Sequence, residues 1–363
     1  MVTTKLEPGM DFRLPEYRRE VFLRFYEFHL KYRSHPGGVY YLMPFLSEKE
    51  GWGLEEKLWF AYINGNTQNP VTSYLIFTRF PSLRNLDIDK LSNWFNKPTV
   101  YRNLQWDTDR RHHKPVFIDS VRNYKDLTAG RTQEEFFRGL YAGSQGANFA
   151  NIWNVVSNQF YSFGRLSTFS YLEYLRIMGL DLDCNHLFLE DMEGSKSHRN
   201  GLCKVIGRDD LDWHSSNPGF KGKYAPGVLT ELAGVGESLL EESLRRAEGK
   251  DWQYDVSYFT LESALCTYKS WHRKNRRYPN VYNDMLHDRI VNAESRWLRP
   301  KLDVFWEARQ NVLPPNLRLE DNPLDVGCKP IKQNHYRLSG QVIMMERDWD
   351  CFENDYSKGY ITA

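Results

Sequence analysis

Apolar residues in this chain recur at three- and four-residue steps and scarcely ever at every second position, which directs it toward a fold built from helices with few strands. After Pro15, the side chains Val21, Phe25, Phe28 and Tyr32 fall on one stripe and Arg18, Arg19, Arg24 and Lys31 on the other, until His35-Pro36-Gly37-Gly38 stops the pattern. Residues 54–63 make a second helical segment, ended by the polar run Asn64-Gly65-Asn66-Thr67-Gln68-Asn69-Pro70, and a third spans 71–80. Helical spacing returns from 132 to 178, with Ile152, Val155, Val156 and Phe160 aligned. Within it, Phe169–Met178 is apolar nearly all round, the pattern of a buried helix. Past residue 310, prolines and short polar pieces take over, so residues 1–310 are expected to form a helical body, as one or two lobes, and 311–363 an extension packed on it.

With 363 residues, 41% of them hydrophobic and 15% aromatic, the chain can fill the core of one large or two ordinary domains and is not a disordered protein. Its apolar stretches fall well short of the roughly 20 residues a membrane span needs, and its first residues lack a basic-then-apolar signal, so no membrane and a cytoplasmic setting are expected. Five cysteines without a Cys-x-x-Cys pair indicate neither a disulfide framework nor a structural zinc site. A net charge of +1 supplies no general attraction for polyanions. Contact with nucleic acid would have to be local, and Lys269, Arg273, Lys274, Arg276 and Arg277, interleaved with Trp271 and flanked by Tyr268 and Tyr278, can pair phosphates and stack on bases. A solvated helix end is the competing explanation.

Residues 228–247 carry Leu232-Ala-Gly234-Val-Gly236 within helical periodicity. Two glycines would permit a tight turn whose backbone N–H groups approach a phosphate closely, and the following helix has Glu237, Glu241 and Glu242 early and Arg245 and Arg246 late. The stretch resembles the hairpin of the helix-hairpin-helix DNA glycosylase superfamily. That superfamily has an essential Asp about twenty residues further on, and Asp255 stands nineteen after Gly236. A helix N-cap would equally require an Asp there. Its lyase members have a Lys two positions after the second glycine, where this chain has Ser238, so Schiff-base strand cleavage is not expected.

Between the buried helix and these glycines lies Gly194-Ser195-Lys196-Ser197-His198-Arg199-Asn200-Gly201, read as a glycine-bounded loop with enough donors to cradle phosphate or pyrophosphate, or else a polar surface turn. The chain has no Gly-x-x-x-x-Gly-Lys-Ser/Thr motif for a nucleoside triphosphate. Glu173, a carboxylate on the apolar helix, either pairs with Arg176 one turn on or serves as a proton acceptor. The Asn64–Pro70 loop, with Asn66 and Thr67 in it and Thr72 beside it, is either a pocket wall or an ordinary helix connection.

The order of these elements, a Glu-bearing buried helix at Phe169–Leu175, the segment Gly194–Leu202, the glycines and the run Leu265–Tyr278, resembles the phage amino acid:DNA transferases, relatives of the glutamyl/putrescinyl-thymine pyrophosphorylases. The resemblance implies transfer of an amino acid, glycine or similar, through its amine onto phosphorylated or pyrophosphorylated 5-hydroxymethyluracil in double-stranded phage DNA, inside the host cell. It also implies an everted base, with Gly234, Gly236, Lys269, Arg273, Lys274, Arg276 and Arg277 on the DNA backbone. Gly194, Ser195, Ser197, Asn200 and Gly201 would surround the leaving group with His198 and Arg199, Asn66 and Thr67 would line the pocket, and Glu173 or Asp255 would take the amine proton. No cofactor is required by the pattern. Mg could assist the leaving phosphate, since Asp209, Asp210 and Asp212 cluster, though such triplets are more often turn and cap residues. A base-excision glycosylase and a non-catalytic DNA-binding module are the alternatives.

Overall fold

A computed structural model of the chain describes residues 15–31, 33, 38–192, 194–212, 224–269, 285–296 and 302–312. Among these the regular structure is helical, without a strand. In chain order the helices are α1 (Pro15–Lys31), α2 (Val39–Lys49), α3 (Leu54–Thr67), α4 (Pro70–Arg79), α5 (Ile88–Phe95), α6 (Pro98–Asn103), α7 (Phe117–Leu127), α8 (Gln133–Arg138), α9 (Gln145–Gln159), α10 (Arg165–Ile177), α11 (Lys196–Val205), α12 (Val228–Ala247), α13 (Tyr258–Tyr268), α14 (Met285–Arg296) and α15 (Asp303–Val312). The chain divides into two compact units, one holding Met1–Gly38, His186–Asp288 and Gln310–Ala363, the other Val39–Asn185 and Arg289–Arg309. The 311–363 extension falls almost wholly outside the described residues.

In the first unit, α1, α11, α12 and α13 pack together. Val21 and Phe25 are buried as the stripe on α1 requires; Tyr32 and the Phe28 side chain lie outside the described residues. Phe22 meets the Tyr268 ring edge-on at 5.1 Å, and Tyr26 shares a 2.6 Å hydrogen bond with Thr260. The helix α12 corrects the hairpin: it runs unbroken from Val228 to Ala247 through both Gly234 and Gly236. The second of these glycines serves close packing, because a Cβ there would stand 2.7 Å from Leu187 Cδ1; a Cβ at Gly234 would meet open space. The positive φ that a turn would require occurs earlier, at Gly227 (87°), immediately before the helix.

In the second unit, α3 is the central element, packed by α4, α8 and α10. Leu58 through Ile63 are all buried, and Tyr62 stacks on Tyr124 with ring centroids 4.0 Å apart. This helix runs four residues past its expected end, so Asn64, Gly65, Asn66 and Thr67 are helical and buried. Gln68, left-handed at φ 48°, then turns the chain, Asn69 caps α4 by accepting from Thr72 N–H, and Pro70 opens that helix at a position where no N–H is needed. Among the described residues no helix is long and apolar enough to cross a membrane.

Candidate functional site

The densest buried polar cluster of the second unit grows from the end of α3. Successive residues on a helix point about 100° apart, so Asn64, Gly65 and Asn66 serve three different directions. Asn64 and Thr67 face α4. Ser73 Oγ donates to Asn64 Oδ1 at 3.0 Å and lies 2.7 Å from Thr67 Oγ1. Gly65 lies against Tyr171 of α10, where an added Cβ would come within 3.2 Å of the tyrosine, and its carbonyl accepts from Arg110 Nε at 3.2 Å. Asn66 faces α7: its Nδ2 donates to Tyr62 O at 3.1 Å, which fixes Oδ1 as the acceptor turned toward Ser120 Oγ (3.1 Å) and His113 Nδ1 (3.2 Å).

That orientation settles the tautomer of His113. Its Nδ1 must carry the proton given to Asn66 Oδ1, which leaves Nε2 with a lone pair. Burial, reinforced by the neighbouring Arg110 and His112 charges, lowers its pKa to about 3, so the ring is neutral at physiological pH. Within the unit, His113 Nε2, Asn64 Nδ2 and Thr168 Oγ1 are buried without a hydrogen-bond partner. Buried polar groups are nearly always paired, and these atoms are exceptions in the unit, together with Gln68 Oε1 and Trp106 Nε1. Arg110, 1% exposed, ties the same region to α10 through Leu166 O (3.0 Å) and Ser170 Oγ (3.1 Å).

Glu173 lies on α10 in this unit, 3% exposed, and accepts from Tyr40 OH at 2.8 Å. Arg176 instead pairs with Asp183 at 3.3 Å, so the pairing expected one turn along the helix is replaced by a tyrosine contact from α2. Tyr40, Ser73, Arg110, His113 and Ser120 were not singled out in the sequence. The available signal was the uncharged polar run Asn64–Ser73 continuing directly from a fully apolar stretch.

The segment 194–201 is corrected from loop to helix: α11 begins at Lys196, and Ser195, His198, Arg199, Asn200 and Gly201 have no solvent exposure. Arg199 turns inward. Its Nη1 donates to Leu189 O (2.9 Å) and Asp191 O (3.1 Å), Nη2 to Met192 O (2.5 Å) and Nε to Tyr224 OH (3.2 Å). Ser195 Oγ donates to Phe188 O at 2.6 Å, and Gly194 N–H to Asp191 Oδ1 at 2.8 Å. His198 stands between Leu187 O (2.7 Å from Nε2) and Glu262 Oε1 (2.9 Å from Nδ1), a carboxylate the sequence did not point to. Ser197 and Lys269 are brought together, the hydroxyl accepting from the ammonium. Gly201 permits the crossing of α11 and α13, because a Cβ there would stand 2.3 Å from Leu265 O.

Asp255 is not the cap of α13; Ser257 is, accepting from Thr260 N–H. Asp255 Oδ2 pairs with Arg33 Nε at 3.2 Å, and its carbonyl accepts from Thr260 Oγ1 at 2.6 Å. The three aspartates considered for Mg hold cations of the protein instead: Asp209 pairs with Arg18 (2.8 Å) and Lys204 (2.9 Å), Asp210 with Arg208 (2.8 Å) and Asp212 with Lys204 (3.2 Å). Those residues do not fit a divalent ion, and among the described residues no group of three or more His, Cys, Asp or Glu is placed to hold one. Arg273, Lys274, Arg276 and Arg277 lie outside the described residues.

Comparison with known proteins places this geometry in context. A family model described as amino acid:DNA transferase matches residues 40–278. The serinyltransferase of Salmonella phage ViI is 29% identical over 284 residues, covering 74% of this chain and 66% of that protein, so the chain spans just under two thirds of the relative's length. No solved structure matches. Since the family model takes in α2 through α13, and with them both the α3 corner and the Ser195–Val205 segment, the chain belongs to the amino acid:DNA transferase family.

Proposed function

We propose that the protein joins a free amino acid, through its amine, to an activated 5-hydroxymethyluracil in phage DNA. The observation that carries this reading is the family match across residues 40–278. In the proposed step the amine nitrogen bonds to the 5-methylene carbon, the carbon–oxygen bond breaks, and phosphate or pyrophosphate leaves with the electron pair. The nitrogen then gives up one proton.

Glu173 is the group we assign to that proton. It is a buried carboxylate on a helix, and the hydroxyl of Tyr40 donates to its Oε1 and orients it. At the corner, Asn64 Nδ2 and His113 Nε2 supply a donor and an acceptor for the pyrimidine or the amino acid, with Asn66 and Thr67 holding them in place, and the neutral His113 accepts a hydrogen bond without adding charge. The 194–201 segment supports the fold in this reading, because the Arg199 fork is filled by main-chain carbonyls. Lys269, anchored on Ser197 where the basic run begins, is the cation of that unit we assign to DNA phosphate.

The test incubates the protein with DNA carrying phosphorylated or pyrophosphorylated 5-hydroxymethyluracil and single amino acids, then weighs the digested nucleosides. Serine is the first to try, from the name of the phage ViI relative, and glycine the second. The expected product is a nucleoside with the mass of 5-hydroxymethyldeoxyuridine plus the amino acid less one water, with release of phosphate or pyrophosphate. Abasic sites in place of that nucleoside would instead identify base excision.

A further inference from the structure

The turn between α9 and α10 and the first turn of α10 present two large apolar side chains to solvent, Tyr161 at 48% exposure and Leu166 at 42%. Single exposed hydrophobic residues are common on protein surfaces, so exposure alone carries little. Here the backbone beneath both is tied down. Tyr161 N–H donates to Asn123 Oδ1 at 2.8 Å, and its carbonyl lies 3.2 Å from Ser120 Oγ. Ser162 follows at φ 73°, a left-handed conformation that costs a non-glycine residue on the order of 1 kcal/mol and persists only where the surroundings impose it. Phe163 is buried against Tyr62, His113 and Tyr171, and the Leu166 carbonyl accepts from Arg110 at 3.0 Å. A strained, clamped turn thus holds out an aromatic ring and a leucine.

Arg111, His112 and Arg165 lie on the segments next to these two residues. Arg111 and His112 are exposed on the 3-10 turn Thr108–His113, adjacent in sequence to the Arg110 and His113 that touch Leu166 and Phe163. Arg165, half-buried, lies 5.8 Å from the centre of the Phe169 ring. Asp109, the exposed carboxylate of the same turn, stands beside Arg110, whose charge offsets it.

We propose that Tyr161 and Leu166 form a wedge that enters the base stack of duplex DNA, with Arg111 and His112 on the neighbouring phosphates; this rests on the reading of the protein as a DNA-modifying transferase. A side chain can part stacked bases only if its own backbone does not yield, and the clamps from Asn123, Ser120 and Arg110 meet that requirement. The aromatic ring then replaces the stacking surface that the duplex loses. The Ser120 hydroxyl beneath Tyr161 is also the one that reaches Asn66 Oδ1 and Tyr62 OH. The wedge and the α3 corner are therefore joined by a single side chain, so a base displaced by the wedge would be released beside the polar cluster.

The experiment uses the full chain and an unmodified duplex carrying 2-aminopurine next to thymine, a base that brightens when unstacked. The wild-type protein should raise the fluorescence. Tyr161→Ala should remove most of the rise and weaken binding about tenfold, and Tyr161→Phe should restore both, since stacking needs the ring and not the hydroxyl. Leu166→Ala should act in the same direction with smaller effect. Arg111→Ala should lower the slope of log affinity against log salt by about one, whereas Tyr161→Ala leaves it unchanged. Thermal unfolding of each variant should match wild type, because the replaced side chains are exposed. A wild-type protein that leaves 2-aminopurine dark, or a Tyr161→Ala/Leu166→Ala double variant that keeps the full signal and affinity, overturns the wedge. An unchanged salt slope in Arg111→Ala overturns its phosphate contact. These readings need no transfer chemistry, so failure of the nucleoside assay leaves them standing.

Discussion

The segment 194–201 and the corner at Asn64–Ser73 are both dense in hydroxyl and amide groups and both largely buried, the first with Lys, His and Arg among them and the second without charge. They differ in where their hydrogen bonds go. Around Arg199, four N–H···O contacts from one guanidinium hold a neighbouring stretch of chain, and Gly201 lets a second helix close over the back. Around Asn66, the bonds fix orientation and leave His113 Nε2 and Asn64 Nδ2 with capacity in hand. The first arrangement is how a polar segment holds a fold together; the second keeps hydrogen-bonding capacity that the fold does not use, which is why the proposed function places substrate there. A concentration of donors in a sequence is therefore ambiguous until their acceptors are known.

The largest expected effect that could break this contrast is in Gly201→Ala. A methyl group cannot share space with the Leu265 carbonyl, so α11 and α13 must part, at a cost of about 3 kcal/mol or a failure to fold. Denaturant unfolding near wild type would show that this helix contact is slack. Arg199→Ala comes next. Removing the guanidinium takes the donor from the Leu189 and Met192 carbonyls and one of two donors from that of Asp191, with a loss of about 3 kcal/mol. Activity per folded molecule should survive, so a variant of wild-type stability with abolished turnover would return Arg199 to the leaving group.

Asn64→Ala sharpens the comparison from the other side. Only the bond from Ser73 is lost, about 1 kcal/mol, yet turnover should fall tenfold or more if the corner holds a substrate. Measured kcat/KM alongside unfolding midpoints separates the two. A further effect is in pH, absent near neutrality and growing as the solution is acidified. His113 has a folded pKa of about 3, below its unfolded value of about 6.5, so the unfolded chain binds the extra proton between these limits. Its contribution to stability is complete above that window and is lost as pH falls through it. His29 in the other unit is lowered to about 3 by burial and acts in the same sense, so the slope must be read against His113→Gln. The His113 ring resonances should show no titration from pH 7 to 4; a midpoint near 6 would mean that the corner is open to solvent.

The mainly helical class was readable because it depends on periodicity, a local property: the α1 stripe, the end of α3 within four residues and the buried α10 all follow from spacing. The resemblance to the family was carried by short segments in order along the chain, and the family match covers them. The site was less readable. Glycines at 234 and 236 have two uses, a turn or close packing inside a helix, and the choice rests on Leu187, which lies far away in sequence. Asp255 and Glu173 took partners, Arg33 and Tyr40, from helices and turns more than 100 residues away, in place of the near ones their positions suggested.

The sequence by itself determined the mainly helical class, the α1 stripe, the buried α10 and the family, since backbone propensity and motif order act within a few turns of chain, while α11 and the unbroken α12 were not legible in it. Tertiary structure alone decided which polar residues are bound to one another and which keep an open lone pair or N–H. A hydrogen bond is satisfied by whatever stands three ångströms away, and for Arg199, His113 and Asn66 that neighbour is fixed by packing of distant elements.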